Sequence, residues 1–127
     1  MKGQRWAVAG GAVMSLAVVF GAFGAHALKA RLDVGALAWW QTASQYHMVH
    51  GLGLLAVAWV ASWSPHVRLA RAAGVAHLLG LLLFSGSLYT MALTGERWLG
   101  AVTPIGGTAW IAGWVCLALA ARGGRRA

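Results

Sequence analysis

Acidic residues are almost missing from this chain: Asp33 and Glu96 are the only two among 127 residues, against ten Lys and Arg. Neither lies inside a long apolar run, so no carboxylate is available within one to build a proton relay. Cysteine occurs once, at Cys116, which rules out an intrachain disulfide, a redox pair and zinc-finger spacing. Charged residues make up only 9% of the chain, where a soluble domain carries about a quarter. A water-soluble fold of this size would lack the charge to cover its surface, whereas a bilayer asks for apolar side chains there. No phosphate-cradling loop and no nucleophile–base signature is present, so no catalytic residue can be named and no cofactor is evident.

What the chain has instead is hydrophobic residues, 60% of the total, in long runs. A helical span needs roughly 20 residues, and four runs approach or exceed that length. They predict an all-α membrane protein, a four-transmembrane-helix bundle in one domain over 1–127, with spans at about 6–28, 46–63, 70–93 and 104–121. The first run, with its basic start and Ala25-His26-Ala27, has the look of a signal peptide. It exceeds a typical signal core, and retention is expected. Ser64-Pro65 stops the second span, Gly95 caps the third, and Pro104 opens the fourth. Asp33 is a plausible N-cap for a short amphipathic helix over 34–45. Gln41 and Gln45 share one face of it, and Trp39 and Trp40 favour the headgroup layer, so it is expected to lie along the interface between spans 1 and 2.

The net charge of +8 does not argue for nucleic acid, because the basic residues sit at the ends and in the short gaps between apolar runs. With four spans, Lys2, Arg5, Arg68, Arg71, Arg122, Arg125 and Arg126 share one side, and Lys29, Arg31 and Arg97 share the other with both acids. That bias places both termini of a multi-pass protein in the cytoplasm. The lipid bilayer is the expected partner, with a homo-oligomer or larger membrane complex as the further one.

Eighteen glycines in such a chain point to close helix packing, since lipid offers no hydrophobic drive for association. Gly21 and Ala25 continue a small-residue stripe from Ala17. Gly80 and Gly86 on the third span, and Gly106, Gly107 and Gly113 on the fourth, are the corresponding packing positions. Trp6, Trp63, Trp98, Trp110 and Trp114 read mainly as interface anchors.

Histidines carry what chemistry there is. His26 closes the first span, while His47 and His50 open the second from the same side and share a helical face. The three could meet at the outer boundary, where imidazole suits zinc, copper or iron. The plainer role for such histidines is a hydrogen bond to a neighbouring helix. His77 lies deeper in the third span, at a level that separates it from His50. Ser85, Ser87 and Tyr89 form a polar patch suited to packing. Three function classes follow: a non-enzymatic bundle acting by packing, a metal- or ligand-binding protein using outer-boundary histidines, and a small oligomeric channel or transporter.

Gly21-Ala22-Phe23-Gly24-Ala25-His26, Gln41-Thr42-Ala43 with Gln45-Tyr46 and His50, Phe84-Ser85-Gly86-Ser87-Leu88-Tyr89 with Ala92-Leu93, and Thr103-Pro104-Ile105-Gly106-Gly107 with Gly113-Trp114 occur in that order. In these motifs the chain resembles the family of small bacterial inner-membrane proteins catalogued as domain of unknown function number 423, over nearly its whole length. The resemblance implies a four-span bundle that retains its first helix, and it supplies no activity. It takes in His26 and His50 ahead of His66 and His77, with His47 less firmly part of it.

Overall fold

The computed structural model describes residues 2–122, and among these the chain forms four helices. Arg125 and Arg126, counted above for orientation, lie outside the described residues. Helix α1 runs Gln4–Leu28 and α3 runs Val67–Thr94; each contains one π-helical turn, Gly24–Leu28 and Leu81–Ser85. Helix α2 spans Val34–Trp63, and α4 spans Thr103–Ala121 after a 3₁₀ turn at Arg97–Ala101. Gln4–Leu28, Val67–Thr94 and Arg97–Ala121 are long and apolar enough to cross a membrane. Helix α2 is the longest of all but is lowered in hydropathy by Gln41, Gln45, His47 and His50 in its first half.

The punctuation residues act as their chemistry dictates. The Asp33 carboxylate accepts the Ala36 amide at 2.8 Å and starts α2. Gly95, at φ 76°, takes the left-handed conformation that ends α3 and returns its N–H to Met91 O. Pro104 occupies the first turn of α4, where no amide is needed.

One expectation is corrected. The 34–45 segment is not a separate interfacial helix; it is the first three turns of α2, unbroken to Trp63. Nothing near Gln45 interrupts the backbone ladder, and the Trp40 indole donates to Phe20 O at 2.9 Å, holding the segment upright against α1.

Helix α2 is the centre of the bundle and touches the other three, while α1 packs mainly on α2 and α4 on α3. Two apolar cores result. One, at the end where both described termini lie, joins Trp6, Leu54, Val57, Ala73 and Leu117. The other, at the opposite end, joins Leu28, Trp40, Ala43, Leu88 and Met91. His47, His50, His77 and Trp110 fill the layer between them.

Several glycines work as sockets for rings. A Cβ on Gly74 would fall 2.5 Å from the Trp6 indole, and one on Gly24 or Gly80 would collide with Trp40 or Trp110. Only at Gly106, against the backbone at Leu83 and Phe84, does a glycine of the expected packing set admit a neighbouring main chain. The Ala17–Gly21–Ala25 stripe does not continue: Ala17 is fully buried, Gly21 half-buried and Ala25 exposed, the buried face running instead through Gly24 and Leu28 because a spacing of four drifts around a helix of 3.6 residues per turn. Gly107 is half-buried against Phe84, and Gly86 is half-buried with only Leu81 and Leu82 of its own helix near its Cβ position.

The tryptophans divide in the same way. Trp59 and Trp98 face outward, at 67% and 66% exposure, whereas Trp6, Trp40 and Trp110 are core residues. Trp110 lies about two turns inside α4 and is buried.

Candidate functional site

A π turn shifts the backbone ladder locally from i→i+4 to i→i+5 bonding. Phe20 O precedes the π turn of α1 and accepts the Trp40 indole N–H; His77 O precedes that of α3 and accepts the Trp110 indole N–H at 3.1 Å. In each case the glycine at the junction, Gly24 or Gly80, makes room for that same indole. Sequence and helix contact are linked here: the glycine permits the ring, and the indole N–H adds a second donor to a carbonyl that also accepts an amide of its own helix, from Gly24 to Phe20 O and from Leu81 to His77 O.

The Trp40 end gathers His47 and Tyr89. His47 is buried, with Nε2 2.9 Å from Val13 O and Nδ1 2.9 Å from the Tyr89 hydroxyl. A carbonyl can only accept, so Nε2 carries the proton and Nδ1 accepts from the tyrosine. His47 thereby ties α1 to α3 through α2, and both of its nitrogens are used. Phe20 packs edge-on against Tyr89 at 5.0 Å between ring centres.

The Trp110 end gathers His50 and His77. His50 lies flat on Trp110, with ring centres 3.5 Å apart and planes within 3°. His77 stands edge-on to Trp114 at 4.8 Å and 5.8 Å from His50. Gly53 on α2 and Gly113 on α4 press against its two sides. Each ring sends Nδ1 to the carbonyl four residues back in its own helix: His50 to Tyr46 O at 2.8 Å, His77 to Ala73 O at 2.7 Å. The Nε2 atom of His77 is buried and has no partner.

The outer-boundary trio is therefore not one cluster. His26 is exposed on the π turn of α1, His47 faces α1 and α3, and His50 faces α3 and α4. Among the described residues, no three His, Cys, Asp or Glu side chains come together as a metal site. The separation expected between His50 and His77 is overturned: because α2 begins at Val34, His50 lies near mid-helix, level with His77. The depth of Trp110 and Trp114 inside α4 was the signal that could have found this cluster from sequence.

The serines link helices. Ser85 donates to Ala43 O at 2.8 Å, and Ser87 meets Thr103 Oγ1 at 2.6 Å. Ser64, at the α2 terminus, donates to Ala120 O at 2.7 Å. Between α1 and α3 a groove of about 340 Å³ opens sideways, with Leu16, Phe20 and Leu82 at its walls and His47, Ser85 and Tyr89 at its floor.

The chain is similar to the UPF0382 membrane protein YwdK of Bacillus subtilis, at 44% identity over 106 residues covering 84% of this chain and 86% of the relative. It is also similar to a UPF0382 membrane protein of Haemophilus influenzae (43% over 101 residues, 80% of each chain). The UPF0382 inner membrane protein YgdD of Escherichia coli K12 is 38% identical over 104 residues, 82% of this chain and 79% of the relative. No solved structure matches. A family model described as a protein of unknown function, DUF423, matches residues 20–107, and with the relatives just given the chain belongs to that family of membrane proteins.

Proposed function

We propose that this chain is a four-span, non-enzymatic protein of the bacterial inner membrane, with both termini cytoplasmic, that acts through its outward helix faces in an oligomer or a larger membrane assembly. The carrying observation is where the polar groups go. Inside, serines and rings are spent on helix–helix hydrogen bonds. Outside, Ser15, Thr90, Thr94 and Thr108 each bond a carbonyl four residues back in their own helix. The outer surface then offers apolar side chains, such as Ile105, Ile111 and Val115 on α4, and little polar chemistry for a substrate.

The reading of α2 as the fourth span rests on its faces. His47, His50 and Gly53 point inward, while Met48, Val49, Leu52, Leu55 and Trp59 form an exposed apolar stripe. Hydropathy averages both faces, so a central helix can carry polar residues and still present hydrocarbon to lipid. Its 30 residues extend about 45 Å, more than the ~30 Å hydrocarbon core, so its first turns, with Gln41 and Gln45, reach the headgroups.

Single cysteines introduced in a Cys116→Ala background test the topology. Position 66 should react with an impermeant maleimide only after the membrane is opened, position 31 should react in intact cells, and position 52 should not react. Labelling of 31 and 66 from the same side would end the four-span reading. Crosslinking in native membranes followed by native mass analysis tests the assembly, and a strictly solitary monomer would refute it.

A further inference from the structure

The three buried histidines differ in one chemical respect. His47 uses both ring nitrogens. His50 and His77 each give Nδ1–H to a carbonyl that can only accept, which leaves Nε2 in the neutral ring as a bare lone pair. That of His77 is enclosed and unpartnered, although the ring is fully buried. Such an atom normally costs stability and calls for an explanation. A ring whose Nδ1–H is held by a backbone carbonyl, with Nε2 free, has the orientation in which an imidazole ligates a metal.

We propose that His50 and His77 form a two-imidazole site for a single Cu(I) ion, bound through Nε2 of each ring. The ring centres stand 5.8 Å apart with their planes tilted by 49°, a spacing that an ion about 2 Å from one nitrogen of each ring can bridge. The charge of the ion follows from what surrounds it. No carboxylate lies in α2, α3 or α4, so a divalent ion would carry two uncompensated charges into an apolar layer. Zn(II) would in addition require three or four ligands, whereas Cu(I) accepts two in line. Trp110 flat against His50, and Gly53 and Gly113 on the flanks of His77, hold the rings without demanding another ligand. The site is independent of whether the protein assembles with partners, and it is not the outer-boundary set of His26, His47 and His50.

The full chain in lipid nanodiscs, kept anaerobic, is titrated with Cu(I) against bicinchoninate. One ion per chain is expected, with affinity lowered more than about tenfold in His50→Gln and in His77→Gln, and unchanged in His66→Gln, an exposed position. Because replacing a fully buried ring can itself unfold the bundle, the unmodified protein is also loaded with Ag(I) and followed by ¹⁵N NMR. The Nε2 signals of His50 and His77 should move while both nitrogens of His47 stay in place. No retained Cu(I), equal retention by both variants, tighter binding of Zn(II), or Ag(I) shifts confined to His26 and His66 would each overturn the assignment.

Discussion

Replacing Gly53 by alanine would put a methyl group 2.6 Å from Cδ2 and Nε2 of His77 and 3.2 Å from Trp114 Cζ2. Ordinary carbon contacts begin near 3.5 Å, so about 1 Å must be found. His77 cannot supply it, being fully buried, tied to Ala73 O at 2.7 Å and backed by Gly113. Overpacking of this kind costs about 1–3 kcal/mol, and the gain in helix propensity from Gly to Ala returns at most ~1 kcal/mol. Because the ring cannot move, the upper half of that cost applies, and a net loss of about 1–2 kcal/mol is expected after the propensity gain, measured by SDS titration or steric trapping in bicelles. Gly11→Ala is the control: nothing lies within 4 Å of its Cβ, so it should be neutral or slightly stabilising. In the double variant Gly53→Ala/His77→Ala the clash disappears, and the two effects should fall short of additivity by at least about 0.5 kcal/mol. A Gly53→Ala protein as stable as wild type, or a Gly11→Ala protein equally damaged, would refute the socket geometry.

The other expectations use the same unfolding assay. Trp40→Phe removes the indole N–H bonded to Phe20 O, leaving a buried contact between α1 and α2 without its hydrogen bond, and part of the ring filling the Gly24 socket, for a loss of about 1–2 kcal/mol, while Trp59→Phe on the exposed face should change nothing. Ser85→Ala gives up the bond from α3 to Ala43 O and should cost roughly 0.6–1 kcal/mol, whereas Ser15→Ala, bonded within its own helix, should be silent. Tyr89→Phe and His47→Gln should couple in a double-mutant cycle by about 0.5 kcal/mol or more, since each side chain loses the other as partner; strict additivity would mean the bond does not form in lipid.

Fold class was legible because charge and hydropathy are summed properties of a chain. Nine per cent charge forbids a water-facing surface wherever the residues sit, and Asp33, Ser64-Pro65, Gly95 and Pro104 mark helix ends through their own backbone chemistry. The break expected near Gln45 failed for the complementary reason. Polarity at Gln41 and Gln45 was read as a change of environment, when the ladder continues and a Trp40 bond to another helix fixes the direction.

By itself, then, the sequence determined a helical membrane chain, the places where its helices stop, and the end of each run that carries positive charge. Which rings meet was decided only by tertiary structure. His50 and His77 are 27 positions apart on antiparallel helices, and their levels depend on where each helix starts. Gly24, Gly53 and Gly80 look alike in a string of letters; only the neighbouring helix determines which of them faces an indole and which an imidazole.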